Sequence, residues 1–314
     1  MARKRHSKLN GLLPVVKAGG PTSHDVVDMA RKALRERRIG HTGTLDPMAE
    51  GLLLLCVGNA TRLQQYLLGW EKTYTGTIRL GTATETYDRE GETMEPSGPV
   101  PDLGEGALAE LAAAFTGTIE QLPPPYSAKK VRGKKLYELA REGETVEVEP
   151  KTVTVHALEL RTSGPDLLEF EVTCSSGFYV RSLAHDIGVR LGCGAHLDSL
   201  RRVAIGPYTV ERALPQEALE AASDPADVTG AGAWIPLAEI HLPFTDVVLN
   251  PTAADRFLHG GEVIVLRSDS RPVAAGDPIV LRNREGRLLG VGTVATVMAR
   301  GRTVAIRPRT VIGA

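Results

Sequence analysis

Between Gly40 and Val57 the chain joins two dissimilar stretches: Gly-His-Thr-Gly-Thr-Leu-Asp-Pro-Met-Ala-Glu-Gly, followed by Leu-Leu-Leu-Leu-Cys-Val. The second is a continuous apolar run of strand length, which predicts a strand buried on both faces. The first is too rich in glycine, and interrupted by Pro47, to be a helix. Proline confines the residue before it to extended conformations, and the nearby glycines permit tight turns. Asp46 therefore sits on stiff backbone that runs directly into a core. A carboxylate held this way suits either chemistry or the capping of a turn.

The length of 314 residues and 42% hydrophobic content allow one large domain and a small one, each with a real core. A net charge of -1 argues against a protein that coats nucleic acid indiscriminately, so any RNA binding has to come from local basic patches. Cys56, Cys174 and Cys193 are scattered and odd in number, which fits neither a disulfide framework nor a zinc site and suits a reducing cytoplasm. No apolar run is long enough to span a membrane, and Leu12 to Val16 is too short for the core of a signal peptide. Residues 1–8 read as a flexible basic tail.

In chain order, Gly11 to Val16 reads as a short strand and Ser23 as the N-cap of a helix carrying Val26, Val27, Ala30, Ala33 and Leu34. The other face of that helix is basic, with Arg31, Lys32, Arg35, Arg37 and Arg38. Thr61 to Leu68 suggests a short helix, and Lys72 to Gly81 alternates as a strand with Tyr74, Ile78 and Leu80 on one face. An Ala/Leu-rich helix runs to about Phe115. Lys129, Lys130, Arg132, Lys134 and Lys135, interleaved with Tyr126 and Tyr137, then form the strongest basic patch, suited to phosphates. Val153 to Leu160 and Leu167 to Cys174 alternate as strands, the second with Leu168, Phe170, Val172 and Cys174 inward. A strand-to-helix turn follows at Ser175 to Gly188, its helix ending near Gly192. From about Val247 short Val/Ile strands between Gly, Asp and Asn turns suggest a small barrel. Arg282, Arg284, Arg287, Arg300, Arg302, Arg307 and Arg309 give that end a basic surface.

Gly-His-Thr-Gly-Thr-Leu-Asp-Pro-x-Ala-x-Gly closely resembles the catalytic signature of the TruB-type tRNA pseudouridine synthases. The resemblance implies isomerisation of uridine 55 in the T loop of tRNA, with Asp46 as the essential residue and neither metal nor organic cofactor. It places His41 in the space left by a flipped base. It assigns Tyr74, in Lys72-x-Tyr74, to stack on that base and help move the C5 proton. Asp88 falls in Thr-Glu-Thr-Tyr-Asp-Arg-Glu-Gly, similar to the family's polar turn Thr-Asp-Thr-x-Asp-x-Glu-Gly, whose second aspartate hydrogen-bonds around the site and whose first is replaced here by Glu85. Tyr179 and Arg181 fall in Gly-Phe-Tyr-Val-Arg, with Arg181 pairing with Asp46 and holding it as the carboxylate a nucleophile requires. Leu200 belongs to a closing Leu-x-Arg beside the site.

The family's first motif supports the signature loop. Here it keeps Lys17, Gly20, Thr22 and Ser23 but has Val16 and Ala18 where aspartate and proline stand, and Lys17 is expected among the substrate-binding groups. The basic block at about 123–148 is similar to a mobile thumb that closes over the T arm, with Lys129, Lys130 and Arg132 as substrate contacts.

The fold implied is α+β: a mixed, largely antiparallel pseudouridine-synthase sheet flanked by helices over 9–240, plus a small C-terminal β-barrel of PUA type over 247–314 that suits the acceptor end. A cytoplasmic monomer acting on tRNA, with no membrane partner, is the expectation. Two other readings stand beside it. One is a tRNA-folding chaperone that uses the basic thumb and terminal barrel. The other takes His185-Asp186 as half of a metal-dependent phosphohydrolase centre rather than a structural histidine.

Overall fold

The computed structural model describes residues 9–94, 98–126, 130–131, 134–135, 148–266, 272–298 and 302–312. Glu50–Val57 is a strand buried along its length except at Glu50, and an eleven-stranded sheet is built outward from it. Across the sheet the order is Leu214–Pro215, Gly11–Lys17, Glu50–Val57, Ala195–Ile205, Lys72–Leu80, Leu167–Cys174, Lys151–Thr162 and Gly117–Gln121. Ile39–His41 adds to Glu50–Val57, Tyr208–Thr209 to Ala195–Ile205, and Ile235–Pro236 to Gly11–Lys17. Pairing is antiparallel except where Glu50–Val57 meets Ala195–Ile205 and where Gly11–Lys17 meets Leu214–Pro215. The sheet is thus the mixed, largely antiparallel one expected.

The period-two alternation decides which face is buried. Tyr74, Ile78 and Leu80, with Leu168, Phe170, Val172 and Cys174 on the neighbouring strand, join Leu183, Ala184 and Ile187 of helix Val180–Leu191 in one core. On the other side of the signature strand, helix Ser23–Ala33 buries Val26, Val27 and Ala30 against Leu13, Val15, Leu53 and Leu55. Thr22, not Ser23, is the N-cap: its hydroxyl accepts from the Asp25 N–H while the Asp25 carboxylate accepts from the Thr22 N–H. This reciprocal box satisfies two helix-end donors and leaves the Ser23 hydroxyl for the signature loop. The short helix expected over Thr61 to Leu68 is a 3-10 segment, Gly58–Leu63, running into one α turn, Gln64–Leu67.

The C-terminal strands form a curled, five-stranded half-barrel in the order Thr245–Val248, Pro278–Arg282, Leu288–Met298, Thr303–Val311 and Val263–Leu266, with helix Pro251–Leu258 placing Phe257 in its core. Val280, Leu288, Val291 and Ile312 pack with Leu12, Leu52, Leu54 and Leu63 of the large sheet. The Arg62 guanidinium donates to the Val311 carbonyl, and Tyr66 Oη meets Thr310 Oγ1 at 2.9 Å. Arg282, expected on an RNA-facing surface, belongs instead to this junction. Its guanidinium donates to the Asp246 carboxylate at 2.9 Å and to the Ala238 and Ile240 carbonyls at 2.7 Å each, leaving its side chain 13% exposed. Arg284, Arg287, Arg302, Arg307 and Arg309 are exposed. Lys130–Val131 and Lys134–Lys135 pair as a two-stranded ladder. The Lys130 side chain, Lys129, Arg132, Arg300 and the tail 1–8 lie outside the described residues.

Candidate active site

The signature loop owes its shape to bonds on its carbonyl groups. Ile39–His41 pairs with the far half of Glu50–Val57, and the Thr42 N–H donates to the Leu54 carbonyl at 3.1 Å, so the loop leaves the sheet and re-enters it on the same strand. Between those points the Lys17 ammonium donates to the carbonyls of Ala49 (2.6 Å), Ala18 (2.9 Å) and Pro47 (3.1 Å). Ser23 Oγ donates to the Leu45 carbonyl at 3.0 Å and accepts from the Leu45 N–H at 2.8 Å. The Arg202 guanidinium donates to the carbonyls of Leu52 (2.7 Å), Gly43 (3.0 Å) and Thr44 (3.4 Å). Leu45, Met48 and Ala49 are buried. The Asp46 carboxylate stays accessible, 38% exposed, between the exposed Thr44 and Pro47.

Gly51 has φ +98°, a left-handed backbone, and a Cβ there would lie 2.3 Å from the Arg202 carbonyl. Glycine is required at this point because the two strands run parallel in contact, Arg201 and Arg202 opposite Glu50 and Gly51. Lys17 is fully buried, and burial lowers its pKa. Its three carbonyl partners make it a brace of the loop, which corrects the expectation that it binds substrate. The brace is intact despite Val16 and Ala18. The Ala18 N–H, a group that proline would lack, donates to Oε1 of the buried Gln216 at 3.1 Å.

Arg181 stands in the first turn of helix Val180–Leu191, and its fork serves four acceptors. Nε lies 3.0 Å from Asp46 Oδ2. Nη1 reaches Asp88 Oδ2 and the Thr86 carbonyl, each at 3.2 Å, and Nη2 reaches the Tyr126 carbonyl at 3.1 Å. Asp88 is buried and also accepts from Thr86 Oγ1 at 2.6 Å and the Glu90 N–H at 3.1 Å. A guanidinium suits this arrangement because its donors are fixed in a plane. Glu85 Oε2 accepts from the Tyr126 hydroxyl at 3.4 Å.

Tyr74, 9% exposed, packs in the core cluster that contains Leu45, Ala49, Phe178, Val180 and Leu200. Burial raises its pKa, so the phenol is neutral. Tyr179 is the N-cap residue of the Arg181 helix, held by Gln121, whose Oε1 accepts its N–H at 2.9 Å; burial also raises its pKa. His41 Nδ1 accepts from the Gly43 N–H at 3.3 Å, and burial together with the Arg202 charge lowers its pKa. Among the sequence-predicted residues, Asp46, Arg181, Asp88, Tyr74, Tyr179, His41 and Leu200 therefore come together around one loop. Among the described residues, no group of three or more His, Cys, Asp or Glu side chains is arranged to hold a metal ion.

The sequence named Lys72 and Arg202 only as positions in the Lys-x-Tyr and Leu-x-Arg motifs and assigned neither a role. Arg202 is 1% exposed, and one signal was available: strand alternation puts it on the same face as the inward Leu200. Lys72 is buried, its ammonium donating to the carbonyls of Leu68 (2.7 Å) and Trp70 (2.6 Å), and burial pushes its pKa down to about 8. It closes the carbonyl end of Gln64–Leu67, which packs on the C-terminal half-barrel.

Residues 31–180 match the family model described as TruB family pseudouridylate synthase (N terminal domain), and residues 181–248 match tRNA pseudouridylate synthase B C-terminal domain. A protein named tRNA pseudouridine synthase B from Burkholderia mallei (strain NCTC 10247) is 45% identical over 293 residues, 93% of this chain and 94% of the relative. One of the same name from Thermobifida fusca (strain YX) is 43% identical over 291 residues, 90% of this chain and 94% of the relative. In fold the chain is similar to a chain of a solved H/ACA RNP bound to a substrate RNA containing 2'-deoxyuridine. The TM-score is 0.75 at 24% identity, covering 97% of this chain and 85% of that one. A Cbf5-Nop10-Gar1 complex gives 0.72 at 24% identity, covering 97% of this chain and 87% of the other.

Proposed function

The chain belongs to the TruB family of pseudouridylate synthases, an isomerase family acting on uridine in tRNA, and from that premise we propose that it converts uridine 55 of the T loop through Asp46. The observation that carries the proposal is the pairing of the Asp46 carboxylate, 38% exposed, with Arg181 Nε at 3.0 Å, on a loop whose Gly43, Thr44, Leu45, Pro47 and Ala49 carbonyls accept from Arg202, Ser23 and Lys17. A reacting carboxylate has to be fixed in direction yet open to solvent on the substrate side, and fixing it in advance removes that cost from the reaction.

The reacting atoms of a stacked uridine are hidden, so the nucleotide has to leave its stack to reach the loop. His41, neutral and at the start of the loop, is suited to fill the space left behind. The neutral phenol of Tyr74 favours packing against the uracil. Asp46 acts on the nucleotide to release the N-glycosidic bond, and the uracil turns and rejoins through C5, the C1′–C5 bond replacing C1′–N1 while the C5 proton leaves to solvent and N1 takes one up. Arg181 holds the carboxylate throughout, while its other donors remain on Asp88, Thr86 and Tyr126. The exposed arginines of the half-barrel suit contacts with tRNA phosphates toward the acceptor end.

The test is tritium release from tRNA labelled at C5 of uridine, with a chelator present. Wild type is expected to release one equivalent from a tRNA bearing U55 and none from one bearing C55. Asp46→Asn is expected to bind tRNA as wild type does and release nothing. Release by Asp46→Asn, or equal release from the C55 tRNA, would refute the assignment.

A further inference from the structure

Arg181 and His185 are one turn apart on helix Val180–Leu191 and face the same side. Arg181 ties to a single short turn twice, through the Thr86 carbonyl and the Asp88 carboxylate. Between those two residues stands Tyr87, with φ +64°. That left-handed backbone is unfavourable for a residue with a side chain and persists only where the surroundings hold it.

The surroundings are His185 and two backbone bonds. The Tyr87 and His185 rings are stacked, centroids 3.8 Å apart and planes 10° from parallel. The Tyr87 N–H donates to the Thr84 carbonyl at 3.2 Å, and its carbonyl accepts from the Leu197 N–H at 3.0 Å. His185 Nδ1 is buried with no hydrogen-bond partner among the described residues, so the stack, not a polar contact, locates the ring. Burial lowers the pKa of this imidazole, and a neutral ring adds no second cation beside Arg181.

We infer that His185 is a positioning residue for Asp46: stacked on Tyr87, it holds the turn whose Thr86 carbonyl and Asp88 carboxylate fix the plane of the Arg181 guanidinium. Of the four acceptors of Arg181, two lie on this turn and a third is Asp46 itself. A turn that relaxes therefore moves the guanidinium, and the guanidinium moves the carboxylate. The effect on turnover rests on the isomerase function proposed above; the effect on the turn does not.

Three variants decide it. His185→Ala removes the stack and is expected to lower kcat about tenfold with KM and tRNA affinity within about twofold, since small misplacements of a reacting group are costly. His185→Phe keeps a flat ring without either nitrogen and is expected to restore kcat. Tyr87→Gly adopts the left-handed backbone without help, so adding His185→Ala to it is expected to lower kcat no further. Amide hydrogen exchange at Leu197 and Glu90, whose N–H groups bond the Tyr87 carbonyl and Asp88 Oδ1, reads the turn without turnover. It should quicken in His185→Ala and not in His185→Phe. Unchanged kcat and exchange in His185→Ala would overturn the inference, as would failure of phenylalanine to rescue or an undiminished loss in the Tyr87→Gly background. If wild type releases no tritium, the isomerase function falls, and exchange alone still decides the role of the stack.

Discussion

Arg202→Met keeps a long, flexible side chain at a 1% exposed position and removes every donor. The Leu52 carbonyl at 2.7 Å and the Gly43 carbonyl at 3.0 Å lose good charge-assisted bonds, and the Thr44 carbonyl at 3.4 Å loses a poor one. A hydrogen bond to a charged group contributes about 1.5–3 kcal/mol, so the first two total roughly 3–6 kcal/mol. These figures are already net of desolvation, so the expectation is a loss of about 3–6 kcal/mol, a large share of the roughly 5–15 kcal/mol that holds a typical domain.

Urea unfolding followed by circular dichroism checks this number: the midpoint should fall with the slope against urea unchanged. Activity should fall further than stability explains. Gly43 and Thr44 are the residues just ahead of Leu45-Asp46, so freeing their carbonyls loosens the carboxylate directly. At a temperature where both proteins are folded, kcat should drop at least about tenfold, with tRNA affinity kept because Arg202 presents nothing to solvent. A variant within about 0.5 kcal/mol of wild type and with unchanged kcat would refute the view that this arginine organises the loop.

Gly51→Ala is expected to destabilise by at least about 2 kcal/mol, because a Cβ 2.3 Å from the Arg202 carbonyl forces the two parallel strands apart; denaturant midpoints measure it. Burial brings the Lys72 pKa down to about 8 from its ordinary 10.5, so between those values the unfolded chain binds more protons and stability rises with pH. Relative to Lys72→Met, wild type should gain on the order of 2 kcal/mol from pH 8 to 10.5, read from urea titrations at each pH. Equal slopes for the two proteins would show that the ammonium is not penalised by burial.

Much of the fold was legible because it follows from local pattern. The apolar run Leu52 to Val57 could only be a doubly buried strand, and the alternation in Lys72–Leu80 and Leu167–Cys174 fixed which side chains face the core. Boundaries were less legible where side chains compete for the same role. Thr22 and Ser23 are both good caps, and the choice between them depends on Leu45, twenty-two residues away, whose backbone bonds the Ser23 hydroxyl.

The site divides along the same line. Asp46 stood out because Pro47 stiffens it and the surrounding signature is specific, whereas Lys17 was placed among the substrate-binding groups on its motif alone. Its actual role depends on three carbonyls, two of them on the far side of the signature loop, and nothing within Gly11–Lys17 encodes their direction. Arg202 is the extreme case. Its partners at Gly43 and Thr44 are 159 and 158 residues away, brought near by the parallel pairing of Glu50–Val57 with Ala195–Ile205. A buried cation whose acceptors are backbone carbonyls leaves no matching carboxylate in the sequence, so charge pairing could not reveal it. Its place two residues beyond Leu200, on the inward face and at the arginine of the Leu-x-Arg segment, marks the position but not its acceptors. Such loop carbonyls need a buried donor if the loop is to hold one shape, and both cations that supply one, Lys17 and Arg202, come from strands that flank Glu50–Val57. The position of Asp46 is therefore set from both neighbouring strands at once, which is why changes such as Val16 and Ala18 on one side leave the loop in place.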